Sequence, residues 1–84
     1  SYNLIFIDAD KQNYCEYYKK SVKLLQPGGI IILDNMLWSG SVIQPEDIDS
    51  QALADTADYI NEDSRVYNFL VPIRDGLMVC IKHE

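Results

Sequence analysis

Residues 2–11 read YNLIFIDADK, an apolar run that breaks at once into two carboxylates and a lysine. Leu4 to Ile7 shows no alternation, which suits a central parallel strand covered by helices on both faces better than a half-exposed antiparallel one. Ile30 to Leu33 repeats the pattern and ends on Asp34-Asn35. Between the two runs, Tyr14, Tyr18, Val22 and Leu25 recur at helical spacing, and Lys19, Lys20 and Lys23 crowd the last turns, where the helix dipole favours cations. Pro27, Gly28 and Gly29 stop that helix. The unit occupies about 30 residues, the length of a right-handed βαβ crossover.

Downstream, a stretch from about Met36 to Asp49 is longer than the loops compact domains normally use, and loops of that length commonly serve a site. A second helix is predicted from about Ser50 to Asn61, capped by Ser50 or Asp49, with Leu53, Ala57 and Ile60 on its inner face. Val66–Val71 reads as a third strand. Asp75-Gly76 signals a hairpin turn into a last antiparallel strand, Leu77–Ile81. The predicted order is β-α-β-α-β-β, an α/β arrangement with three parallel strands and a closing hairpin.

The chain has 84 residues, 13 acidic against 7 basic, for a formal net charge of −6. A chain this short forms at most one small domain of marginal stability. The acidic balance argues against nucleic acid as a partner. No apolar run is long enough to span a bilayer, and no signal-peptide pattern is present, so no membrane association is expected. Cys15 and Cys80 have no metal-type spacing and read as small buried hydrophobes, which fits free thiols in a reducing cytoplasm. Tyr14, Tyr17 and Tyr18 read as packing residues, His83 as a solvated tail residue, and Arg74 as exposed.

In open α/β sheets ligands bind beyond the carboxyl ends of the strands. Asp8 ends the first strand and Asp34-Asn35 ends the second, so neighbouring strands would bring three oxygen-bearing side chains to one edge. Two carboxylates and an amide form a ligand set for a hard divalent cation, Mg²⁺ or Ca²⁺, with positions left for substrate oxygens. Lys11 stands where its amine could reach a hydroxyl bound there, and an amine beside a cation gives up its proton more readily, as a general base must. On spacing alone Lys11 reads more readily as a solvated helix-start residue, and Asp10 equally as a helix cap.

The blocks YNLIFIDADKQNY, LLQPGGIIILDNMLWSG and IRDGLMVCIK, in this order, resemble the C-terminal half of the metal-dependent class I O-methyltransferases, the group that includes caffeoyl-CoA and catechol O-methyltransferases. The resemblance covers nearly the whole chain. It implies a Rossmann-like sheet, S-adenosylmethionine (SAM) as methyl donor and a vicinal aromatic diol as substrate. By position, Asp8, Asp34 and Asn35 match the metal ligands, Lys11 the catalytic lysine, and Trp38 a wall of the substrate site. Asp8, Ala9 and Asp10 match positions beside the cofactor. It implies a metal chelating both hydroxyls, with Lys11 helping to deprotonate one for in-line attack on the sulfonium methyl.

That family's glycine-rich cofactor loop and ribose-binding acid have no counterpart here. Gly28-Gly29 end a helix and precede a strand, so they form a turn. Residues 1–84 are therefore expected to be the C-terminal part of one methyltransferase domain without its N-terminal SAM-loop half, and to form a homo-oligomer, a dimer or larger, through the apolar edge this leaves. Two other readings stand beside this one. The chain is a non-catalytic fragment or interaction module, or FIDAD is the DxD motif of a haloacid dehalogenase-type phosphatase. The second is weakened by Lys11 and Gln12, which follow Asp10 where that family needs a hydroxyl residue.

Overall fold

The computed structural model describes residues 2–8, 10–34, 36, 48–73 and 76–84. Its elements are β1 (Tyr2–Ile7), a 3₁₀ turn (Lys11–Asn13), α1 (Tyr14–Leu24), β2 (Leu25–Leu33), α2 (Ile48–Asn61), β3 (Val66–Val71) and β4 (Leu77–Lys82). The predicted element order holds. One sheet runs β1-β2-β4-β3. β1 and β2 are parallel, and β4 is antiparallel to both β2 and β3, so β1, β2 and β3 share a direction and the return strand lies between β2 and β3.

Local chemistry sets the boundaries. On α1, Tyr14, Tyr18 and Val22 are fully buried at four-residue intervals. The helix ends when Leu25 turns extended, its N–H donating to the Ser21 carbonyl. Lys82, at the end of β4, donates to the Val22 and Leu25 carbonyls at 3.0 and 2.8 Å, a cation on the acceptor end of a helix. Gly28 has a left-handed φ of 82°, and a Cβ on Gly29 would stand 2.7 Å from the Leu25 side chain. The PGG sequence thus lets the chain fold close over Leu25 and enter β2. The second helix starts at Ile48, two residues before the predicted Ser50. Asp49 lies in its first turn, where an acid is favoured, and Ser50 is buried inside the helix. Thr56, also buried, donates to the Ala52 carbonyl at 2.7 Å, so its burial leaves no stranded donor.

Both helices pack on one face of the sheet. The core there joins Ile7, Tyr14, Tyr18, Val22, Leu25, Ile31, Leu33, Met36, Leu53, Ile60, Val66, Met78 and Cys80. Among the described residues, α1 and α2 leave the opposite face of the sheet uncovered. Leu4, Ile30, Ile81 and Tyr67 form one cross-strand row, and Phe6, Ile32, Val79 and Phe69 form the next. At the outer strands of these rows, Leu4, Phe6, Tyr67 and Phe69 are 59, 56, 51 and 49% exposed. β2 is an inner strand, as its unbroken apolar run predicts; Ile31 and Leu33 face the helices, and Ile30 and Ile32 face the side that carries neither α1 nor α2. β1 is an edge strand in this chain.

The α2–β3 connection is tied by charge. Asp63 accepts hydrogen bonds from Tyr18 (2.7 Å) and from the Arg65 guanidinium (2.9 and 2.8 Å). The Arg65 bonds hold the Asp63 carboxyl down at about 2. Burial first, and the Asp63 bond second, push the Tyr18 phenol far above its ordinary value, so it stays a neutral donor. His83, expected as a solvated tail residue, is exposed but lies tilted against the Tyr67 ring, and its backbone N–H donates to the Arg65 carbonyl. Arg74 and Asp75 fall outside the described residues.

Candidate active site

The parallel pairing of β1 with β2 brings the two acidic strand ends together. Ile7 is in register with Leu33, and the Asp34 N–H donates to the Ile7 carbonyl at 3.1 Å. Asp8 and Asp34 therefore follow paired residues on neighbouring strands. Asp8 is exposed and Asp34 half-buried. The strand ends are pinned from the hairpin side as well, because Met36, itself buried, donates to the Gly76 carbonyl at 3.0 Å. Gly76, at φ 90°, closes the turn by donating to Ile73. An open hollow of about 310 Å³ lies against this edge, lined by Phe6, Asp34, Ile73 and Leu77.

From the other side, the 3₁₀ turn after Asp10 carries Lys11 onto the start of α1. Lys11 Nζ donates to the Tyr14 hydroxyl at 3.2 Å and stands 4.8 Å from the centre of that ring. The Tyr14 hydroxyl donates to the Asp34 carbonyl at 2.8 Å. Lys11 is thus separated from the backbone of Asp34 by one phenolic oxygen. Asp10 occupies the cap position of the 3₁₀ turn, but its carboxylate accepts from the Asn13 side chain rather than from a helix N–H. Gln12 reaches Asp49 on the first turn of α2 at 3.3 Å, which sets the start of that helix beside the same turn.

Of the residues singled out by sequence, Asp8, Asp10, Lys11 and Asp34 are on this edge, while Ala9, Asn35 and Trp38 lie outside the described residues. Among the described residues, no group of three or more His, Cys, Asp and Glu side chains gathers as a metal site. The edge does offer two carboxylates from adjacent strands, hard donors of the kind a Mg²⁺ or Ca²⁺ ion takes together with waters and substrate oxygens. Tyr14 was read as packing alone. The signal that could have revealed it is its place three residues after Lys11, a spacing that lines up side chains on a 3₁₀ turn. Burial pushes the Cys80 thiol up to about 12 and also raises Cys15, with Lys19 partly opposing it there. No helix among the described residues is long and apolar enough to cross a membrane.

The acids at the carboxyl-end edge stand where open, Rossmann-like α/β sheets bind their ligands. Residues 1–83 match the family model described as O-methyltransferase, and the chain belongs to that family. It is 38% identical over 88 residues to a caffeoyl-CoA O-methyltransferase of Medicago sativa, covering 95% of this chain and 36% of that protein. Against caffeoyl-CoA O-methyltransferase 3 of Nicotiana tabacum, identity is 39% with the same coverage. The structure of an O-methyltransferase from Bacillus cereus, solved with S-adenosylhomocysteine, superposes with a TM-score of 0.90 at 32% identity, over 96% of this chain and 40% of that one. The chain therefore spans a little over a third of the length of these plant relatives. With the family match, the phosphatase alternative falls away.

Proposed function

We propose that these residues form the metal- and substrate-side part of a SAM-dependent O-methyltransferase that methylates one hydroxyl of a vicinal aromatic diol. The observation that carries this reading is the junction of three elements at one edge, with Asp8 ending β1, Asp34 following β2, and Lys11 joined to the Asp34 backbone through Tyr14. Asp8, Asp34 and Asn35 would hold a divalent cation, which when bound would acidify the two hydroxyls and fix their geometry. Lys11 accepts the proton of the attacking hydroxyl. The oxygen then forms its bond to the methyl carbon as the carbon–sulfur bond of SAM breaks, leaving S-adenosylhomocysteine. By the family resemblance, Asp10 and Ala9 would serve the cofactor and Trp38 the substrate. The remaining cofactor contacts would come from an N-terminal part of the domain.

A complete domain for testing this is obtained by putting residues 1–84 in place of their counterpart in the Bacillus cereus relative. There, Asp34→Ala should abolish metal-dependent transfer to a catechol and weaken Mn²⁺ binding read by electron paramagnetic resonance. Unchanged Mn²⁺ affinity would remove Asp34 from the ligand set. A non-catalytic role for the chain predicts instead no transfer by the wild-type domain, with metal binding intact or absent alike.

A further inference from the structure

We propose that Tyr14 is a positioning residue, whose buried hydroxyl fixes the Lys11 amine relative to the backbone of Asp34; the inference rests on the roles given to Lys11 and Asp34 above. Tyr14 is 0% exposed, so its ring has no freedom to swing. Its hydroxyl carries one proton, and that proton goes to the Asp34 carbonyl at 2.8 Å. The lone pairs are then turned away from Asp34, and one of them receives the Lys11 amine at 3.2 Å. The same amine lies 4.8 Å from the ring centre, so two features of one immobile side chain locate it.

The other end of the link is equally restrained. The Asp34 peptide is held through its N–H by the last carbonyl of β1 and through its C=O by Tyr14. Strand, strand and helix thus meet at one residue, and Lys11 hangs from that junction rather than from its own flexible stem. A lysine side chain has many rotamers, so an unanchored amine that must meet a substrate hydroxyl is costly to orient at the moment of reaction. An N–H is available for the Tyr14 oxygen whether the amine is charged or neutral, so the anchor does not depend on the amine's protonation. In the neutral amine the nitrogen lone pair is separate from that bond and can face the substrate.

The test is Tyr14→Phe, which keeps the ring, the volume and the ring–amine contact and removes only the hydroxyl. In the grafted domain, kcat should fall about tenfold while KM for SAM and for the catechol stays within about twofold, the pattern of lost orientation and not of lost binding. A structural role alone would give the same loss whether or not Lys11 is present. The variant is therefore repeated in a Lys11→Met background, where Tyr14→Phe should have less than about a twofold further effect. Full activity of Tyr14→Phe, or the same loss in both backgrounds, overturns the proposal.

A readout independent of catalysis separates this from the functional reading. In NMR spectra of the 84-residue chain and of the grafted domain, the two ε-methylene protons of Lys11 should be distinct in the wild type. Their separation should shrink at least twofold in Tyr14→Phe, with those of Lys19, Lys20, Lys23 and Lys82 unmoved. An averaged Lys11 signal already present in the wild type overturns the positioning claim. Full activity of Lys11→Met combined with distinct wild-type protons refutes the base assignment and leaves the anchor standing.

Discussion

The 84-residue chain is expected to self-associate, and replacing Phe6 and Phe69 with threonine should weaken that association. The two rings share a cross-strand row on the face of the sheet opposite α1 and α2, and each is about half exposed. A fully covered phenylalanine buries roughly 200 Å², so each ring leaves about 100 Å² in water, and Leu4 and Tyr67 in the neighbouring row leave comparable areas. Two copies meeting through this face would cover about 800 Å² of these four side chains, worth roughly 20 kcal/mol at about 25 cal/mol per Å². That exceeds the ~4–15 kcal/mol association penalty. The double variant removes about half of the area. If only a third of its nominal ~10 kcal/mol is realised, the dissociation constant rises about 100-fold or more. Threonine keeps the β preference, so circular dichroism should be unchanged. Sedimentation equilibrium across a concentration series reads the result. A wild-type chain that is folded and monomeric at high-micromolar concentration would refute the reasoning, since then this face does not drive association.

Two further outcomes follow from named contacts. In the grafted domain, Lys11→Ala should lower kcat by about 10²–10⁴-fold with SAM affinity preserved, measured by steady-state kinetics and calorimetry, while a loss below about threefold would return Lys11 to a solvated helix-start residue. Asp63, held at about 2 in the fold by Arg65, has an ordinary unfolded value near 3.9, so the unfolded chain binds the proton first as pH falls. Its stabilising contribution is complete above about pH 4 and is lost as pH falls toward 2. Asp63→Asn should therefore flatten the acid limb of a denaturation series, and an identical slope in the variant would show that this carboxylate is not its source.

The sequence carried the element order because each element has a separate local cause: apolar runs at Leu4–Ile7 and Ile30–Leu33, four-residue spacing on α1, and a glycine at the hairpin. The position of β4 between β2 and β3 was not legible. It depends on pairings such as Ile31 with Cys80, which join residues far apart in the chain. Which elements cover each sheet face was not legible either, since an unbroken apolar run states that both faces are oily and not what lies on them. Asp8 and Asp34 could be read as neighbours from the βαβ rule alone. For Tyr14 only the three-residue spacing from Lys11 was legible; an aromatic at a buried helical position already satisfies the packing pattern, and the bond of its hydroxyl to Asp34 shows only in the fold. Asp63 was hidden in the same way. Its partners Tyr18 and Arg65 come from α1 and from the residue before β3.

The most direct test of the account is methyl transfer by the grafted domain from isotopically labelled SAM, followed by mass spectrometry, with a catechol and with the corresponding monophenol, in Mg²⁺ and in excess chelator. The account predicts a monomethylated catechol in Mg²⁺, none in chelator, and no transfer to the monophenol under either condition. Equal methylation of the two substrates, or transfer undiminished by the chelator, would contradict a site in which Asp8 and Asp34 hold a cation that engages both hydroxyls.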